Sequence, residues 1–207
     1  MVENNKIIVI GNYTDWQIKK LKQEFDPFFL KTTDDLLDVP NQELAQIQGV
    51  AFQGHRSFDK TKFDLLPNLK IVSNFGVGFD AIDVDEATKR GIKVTNTPDV
   101  LNDDVADLAV GMLIALSREF TRGVNWVNSG DWGKFGEMPL NRKISGRKVG
   151  ILGLGRIGRE IADRLVGFKM DIHYHSRTKK ETPNDWNYHS DPISLAREVD
   201  FLFVALV

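Results

Sequence analysis

Apolar residues fall along the chain in short runs separated by amphipathic stretches, and the alternation begins near the N-terminus. Ile7-Ile8-Val9-Ile10 reads as a strand ended by Gly11-Asn12, after which Thr14 or Asp15 can cap a helix carrying Trp16, Leu21 and Phe25. The pattern continues with a strand at Phe28-Phe29-Leu30, a helix around 43–47, a strand at Gly49-Val50-Ala51-Phe52, a helix through Phe63-Asp64-Leu65-Leu66 and a strand over 69–73. A short helix over 85–90 is stopped by Gly91 before a last strand, Ile92-Lys93-Val94-Thr95. Alternating strands and helices predict an α/β lobe, a parallel sheet with helices on both faces, ending near Asn96-Thr97-Pro98.

Asn102 or Asp103 then caps a long helix running to about Arg122, with Val105, Leu108, Ala109, Met112 and Leu116 on one face. Val110, Leu113 and Ile114 give it a second apolar face, the one expected to lie in the interface if the helix is a dimer helix. A helix apolar nearly all round needs partners on more than one side. It is therefore either an interdomain helix buried between two lobes or a dimer helix. After a loop over 128–140 rich in Gly, Trp and Phe, Val149, Ile151 and Leu152 read as a buried strand, and 171–175 as a second. A short third strand follows near 188–190, then a helix opened by Asp191-Pro192 and carrying Ile193, Ala196 and Val199. The run Phe201-Leu202-Phe203-Val204-Ala205-Leu206-Val207 fits a parallel strand buried on both faces.

Between the first two strands of this second lobe, Gly153, Gly155 and Gly158 give the spacing G-x-G-x-x-G, and Ile157, Ile161, Leu165 and Phe168 then recur at the helical period. Each glycine has a physical reason: Gly153 for the tight turn, Gly155 to let a pyrophosphate reach the backbone, Gly158 to let helix close on strand. Strand before and helix after make this a dinucleotide cradle, with the helix N-terminus facing the phosphates. An acidic residue ~20 positions on bonds the ribose 2′-OH of NAD, whereas arginine accommodates the 2′-phosphate of NADP. Here the place is held by His175-Ser176-Arg177-Thr178, which favours NADP over NAD; a solvated basic turn continued by Lys179 and Lys180 is the alternative. The fold class is thus α/β with two doubly wound parallel-sheet lobes: a flavodoxin-like lobe over 1–97 and an incomplete Rossmann lobe over 98–207. It is incomplete because strand order 3-2-1-4 leaves the last apolar strand without an outer neighbour, an edge that folded proteins cover.

Composition narrows the chemistry. With 27 basic and 29 acidic side chains and a net charge of −2, nothing points to nucleic acid or a membrane surface. The absence of cysteine excludes disulfides, thiolate metal sites and cysteine nucleophiles, and no metal site is expected. The N-terminal apolar run is too short for a signal peptide and no stretch approaches the ~20 residues of a membrane span, so a cytoplasmic protein is expected.

The segments NFGVGFDAID, KRGIKVTNTPDVLNDDVADLAVGMLIALSRE, GDWGKF, GLGRIG and YHSRTKK together resemble the D-2-hydroxyacid dehydrogenases, in particular their glyoxylate and hydroxypyruvate reductase branch. The likeness covers nearly the whole chain and is looser before Asp59. It implies reduction of a small 2-keto acid by NAD(P)H in a cleft between two α/β lobes, and a homodimer built on the 103–122 helix and the loop after it. It also implies that Val77 and Gly78, in the loop that starts at Asn74, hold the substrate carboxylate through backbone N–H groups. A glycine-bearing turn after a strand suits an anion, although a plain strand-to-helix turn accounts for the same residues. By the resemblance Val105 lies beside the nicotinamide, where simple core is the alternative, and Leu154, Gly155, Arg156 and Ile157 form the pyrophosphate loop.

Hydride transfer to a carbonyl needs a proton donor, usually histidine held by a carboxylate, and a cation to polarise the carbonyl. His173 and His175 alternate on a strand, His189 lies near the third strand, and His55 follows a first-lobe strand and borders its open end. Surface or structural roles suit all four. The family's arginine, glutamate and histidine lie beyond Val207, so the chain reads as C-terminally truncated, with no catalytic residue present and no activity of its own. The rival expectation is a non-catalytic nucleotide-binding or dimerising remnant.

Overall fold

The computed structural model describes residues 6–183 and 186–206. Residues 1–5, the start of the segment judged too short for a leader, and Val207, the last of the apolar run, lie outside the described residues. The chain divides into two compact units, Met1–Val100 and Leu101–Val207.

The first unit holds strands β1 (Lys6–Ile10), β2 (Asp26–Leu30), β3 (Gly49–Phe52), β4 (Ile71–Asn74) and β5 (Lys93–Thr95), with helices α1 (Asp15–Glu24), α2 (Asn41–Leu44), α3 (Lys60–Asp64) and α4 (Val84–Lys89) and a 3-10 turn at Thr33–Asp38. The strands lie in the order β2-β1-β3-β4-β5, every pair parallel. This is the flavodoxin order, and it puts the switch point between β1 and β3. Ile8, Ile10, Val50, Phe52 and Val72 are buried among Phe58, Phe63 and Leu66. Thr14, one of the caps read in the sequence, forms a capping box with Gln17 on α1, and the structure adds Asp59 and Asp83, which accept from backbone amides at the starts of α3 and α4. The cap expected at Asn102 or Asp103 is not formed: Leu101 is the N-cap of the helix that begins at Asn102, with no side-chain bond. None of the α1 side chains is fully buried, and Trp16 stands exposed with the Lys20 ammonium 5.5 Å from its ring.

The second unit contains α5 (Asn102–Ser117), α6 (Phe120–Asn128), α7 (Asp131–Phe135), β6 (Lys148–Leu152), α8 (Arg156–Val166), β7 (Asp171–His175), β8 (Asn187–His189), α9 (Pro192–Glu198) and β9 (Phe201–Val204). Its sheet runs β8-β7-β6-β9, again parallel throughout. Both units are therefore α/β with doubly wound order, the fold class expected. Among the described residues no helix is long and apolar enough to cross a membrane.

Three expectations are corrected. The helix expected to run to Arg122 ends at Ser117: the Arg118 carbonyl accepts from Asn141 Nδ2 at 2.6 Å, and Glu119 takes a left-handed conformation, φ 49°, before α6 begins. The two faces of α5 are also exchanged. Ala106, Val110, Leu113 and Ser117 are the buried row against α8 and the sheet, whereas Val105, Leu108, Met112 and Leu116 are exposed. Both rows keep the helical period, so periodicity could not tell which one faces the core. Finally, β9 is not buried on both faces. Phe201 and Phe203 pack on the core while Leu202 and Val204, which alternate to the other face, are exposed, and β9 is paired only with β6 among the described residues.

Candidate functional site

Each unit presents a candidate site at the carboxyl ends of its strands, where open parallel sheets take ligands. In the first unit the loop after β4 is held by its carbonyls. Asn74, buried at the strand end, donates from Nδ2 to the carbonyls of Gly76 at 3.0 Å and Gly78 at 2.8 Å. Asn96 Nδ2 donates to Val77 O at 2.9 Å and the Thr97 amide to Gly76 O at 3.0 Å. With three consecutive carbonyls turned to protein donors, the Val77 and Gly78 amides have no protein acceptor among the described residues. A pair of amides so placed suits an anion. Phe75 begins this loop and stacks on Tyr13, which follows β1, with ring centroids 5.9 Å apart. Burial pushes the Tyr13 hydroxyl up to about 12, so near neutral pH it stays protonated.

In the second unit the three glycines do three separable jobs. Gly153 has φ 101°, and a Cβ there would sit 2.4 Å from Ala205 O, so only glycine makes this turn. A Cβ on Gly158 would lie 2.1 Å from Gly153 O and 3.1 Å from Ile151 Cγ2, so the first turn of α8 closes on β6 only without a side chain. At Gly155 nothing lies within 4 Å, which leaves its backbone open to a ligand. Gly155 is also the N-cap of α8, with no side-chain cap and no acidic residue in the first turn. Elsewhere aspartates close helix starts, as Asp191 does for α9 with bonds to the Ile193 and Ser194 amides. The positive end of α8 is thus left for an external anion. Leu154 is buried in the turn, Arg156 is the first residue of α8, and Ile157 packs on the core.

The turn Ser176, Arg177 and Thr178 follows β7 directly beside this cradle, because the Gly153 amide donates to His175 O at 2.9 Å. Ser176 Oγ donates to Thr178 O at 2.7 Å, and Arg177 is exposed with no ion pair among the described residues. Beyond it, the fully buried Tyr174 side chain donates from its hydroxyl to Lys180 O at 3.0 Å and accepts from the Lys180 amide at 3.1 Å. Arg159 on α8 donates to Glu181 O at 2.9 Å and lies 5.1 Å from the Trp186 ring. The sequence reading missed Asn74, Asn96, Tyr174 and Arg159, which hold the loops rather than line them. An asparagine at a strand end before a glycine loop is a legible signal; a tyrosine at an alternating strand position looks like plain core.

Other candidates separate. Val105 stands half exposed in the first turn of α5, on the outward row and outside the core cluster. His55 is exposed in the loop after β3 and makes no hydrogen bond among the described residues, so no carboxylate fixes its tautomer. His173, His175 and His189 bond to one another's strands. Among the described residues no three histidine, aspartate or glutamate side chains converge as metal ligands.

The profile of the D-isomer specific 2-hydroxyacid dehydrogenase catalytic domain matches residues 8–198. The chain belongs to this family. Glyoxylate reductase of Pyrococcus horikoshii is 39% identical over 212 aligned positions, which cover 97% of this chain and 63% of that protein. Glyoxylate/hydroxypyruvate reductase A of Arabidopsis thaliana is 45% identical over 170 positions, covering 82% of this chain and 53% of that one. Among solved structures, the NADPH-dependent glyoxylate/hydroxypyruvate reductase of Sinorhizobium meliloti, in complex with NADP and malonate, superposes with a TM-score of 0.85 at 37% identity, covering 99% of this chain and 63% of that one. The 2-hydroxyacid dehydrogenase of Ketogulonicigenium vulgare gives a TM-score of 0.87 at 40% identity, covering 99% and 64%. The chain therefore spans less than two thirds of the length of these relatives.

Proposed function

We propose that this member of the 2-hydroxyacid dehydrogenase family is built to reduce a small 2-keto acid, glyoxylate or hydroxypyruvate, with NADPH preferred to NADH. The reading rests on one juxtaposition: the glycine turn that leads to the uncapped start of α8 is hydrogen-bonded, from the Gly153 amide to His175 O, to the end of β7 from which the Ser176 and Arg177 turn departs. In this reading Gly153, Leu154, Gly155, Arg156, Ile157 and Gly158 cradle the pyrophosphate. Ser176, Arg177 and Thr178 take the 2′-phosphate, where the planar guanidinium fork suits an anion and the residues of the turn itself include no carboxylate that could bond a bare 2′-hydroxyl. Val77 and Gly78 hold the substrate carboxylate on their free amides, and Val105 lies against the nicotinamide. The bound nicotinamide supplies the hydride. The first unit, with boundaries near 1–97, is the substrate lobe and the remainder the nucleotide lobe.

No residue of the chain is assigned as proton donor or as the cation that polarises the carbonyl. His55 has no orienting partner among the described residues, and the other three histidines are tied into their sheet. The same reading makes the outward row of α5, Leu108, Met112 and Leu116, with Phe120 and Val124 of α6, the homodimer face. Titration of the purified chain with NADPH and NADH, followed by nucleotide fluorescence, tests the cofactor assignment. Tighter binding of NADPH is expected; equal affinities, or no binding of either, would overturn it.

A further inference from the structure

On one face of the second sheet, His173 of β7 and His189 of β8 meet with Nδ1 and Nε2 2.9 Å apart. His173 is 5% exposed, and its other nitrogen, Nε2, lies 3.2 Å from Asp171 Oδ2. A carboxylate only accepts, so His173 Nε2 carries a hydrogen and the facing nitrogens share one more. His189 can take up one proton on its outer nitrogen with that bond intact. A second proton on the pair sets two N–H groups against each other and breaks it. The charged groups facing the pair are Asp171 and His175 on β7, with Glu198 of α9 and its cap Asp191; Glu198 is ion-paired to Lys148 of β6. Helix α9 packs over β6, β7 and β8. Burial, first, and the neighbouring His173 hold the His189 imidazole below the usual histidine range.

Strand β8 has only three residues, and the last residue of β7 and the turn after it each take one tie from it. His175 Nδ1 donates to His189 O at 2.9 Å, and the Tyr188 hydroxyl donates to Ser176 O at 3.5 Å. We propose that His173 and His189 form an acid-sensitive clasp that fastens β8 to β7 and opens on double protonation, releasing the Ser176 to Thr178 turn. The folded pair accepts fewer protons than the two freed imidazoles, so its stabilisation is present above about pH 6.5 and is lost as the pH falls below it. At pH 5.5 an imidazole of ordinary affinity, about 6.5, is protonated roughly tenfold over its neutral form, so opening should be favoured about tenfold or more.

Amide hydrogen exchange at pH 7.5 and 5.5, corrected for intrinsic rates and read without nucleotide, tests this independently of the cofactor assignment. The opening constant of the Asn187, Tyr188 and His189 amides should rise about tenfold in acid while β6 amides change little, and His189→Gln should abolish the response. No acid response, or an undiminished one in His189→Gln, would overturn the proposal. Should that variant fail to fold, nitrogen-15 spectra of the natural chain decide, with His55 as the reference signal. A through-bond coupling between His173 Nδ1 and His189 Nε2 that vanishes in acid supports the clasp; two rings that titrate independently without coupling refute it.

Discussion

Leu113 and Leu108 lie five residues apart on α5 yet should respond oppositely to the same change. Leu113 is 6% exposed in the core formed with Val149, Ile151, Ile161 and Leu165, whereas Leu108 is 66% exposed. Truncating a buried leucine to alanine costs about 2 to 5 kcal/mol, from lost transfer energy and the cavity left behind. Glutamate at that position adds the desolvation of a carboxylate with no partner, several kcal/mol more. A domain of this size is stable by only about 5 to 15 kcal/mol. Leu113→Glu is therefore expected to unfold the second unit or leave it marginal, and Leu113→Ala to shift the urea midpoint strongly. Leu108→Glu should change stability by no more than about 0.5 kcal/mol, as other surface substitutions do. If Leu108, Met112 and Leu116 form the self-association face, that variant should also turn a dimer into a monomer. Sedimentation equilibrium and urea unfolding monitored by circular dichroism read the two properties on the same samples. A folded, stable Leu113→Glu would refute the assignment of faces; a dimer that survives Leu108→Glu would refute the assignment of the interface.

Gly158→Ala should destabilise the second unit by about 1 to 3 kcal/mol, since its Cβ meets the Gly153 carbonyl, whereas Gly155→Ala should unfold as the natural chain does yet bind NADPH more weakly. Thermal melts and nucleotide titration separate the two. Arg177→Asp should erode the preference for NADPH over NADH by about tenfold or more, measured as the ratio of dissociation constants. Tyr13 ionises in the unfolded chain near pH 10 but only near 12 when folded, so the unfolded state binds fewer protons between these values and stability should fall as pH rises from about 10 to 12. Absorbance at the tyrosinate band through that range, with Tyr13→Phe as control, checks it. The 207-residue chain should reduce glyoxylate or hydroxypyruvate at well under about 1 per second with NADPH, because general acid catalysis alone is worth about 10² to 10⁴ in rate.

Patterns whose cause lies within a few residues were legible in the sequence. Strand runs, the cap at Thr14, the proline-opened helix α9 and the three glycines each act through local sterics or local hydrogen bonds, and each sits where the pattern put it. Alternation also pointed to parallel sheets, since a helix between two strands returns the chain to the end of the sheet from which the next strand can start in the same direction. What depends on neighbours remote in sequence was decided by the tertiary structure alone. Two rows of α5 share one period, and only packing against α8 and the sheet made Val110 and Leu113 core and left Leu108 and Leu116 outside. Asn141 ended α5 early by capturing a carbonyl 23 positions back, a contact no local propensity encodes. The loop after β4 behaves likewise: Asn96 holds the Val77 carbonyl, 19 positions back, through a bond that exists only once β5 pairs with β4. The same holds for His173 and His189, 16 residues apart, whose facing nitrogens follow from the pairing of β7 with β8 and from nothing in the composition of either strand.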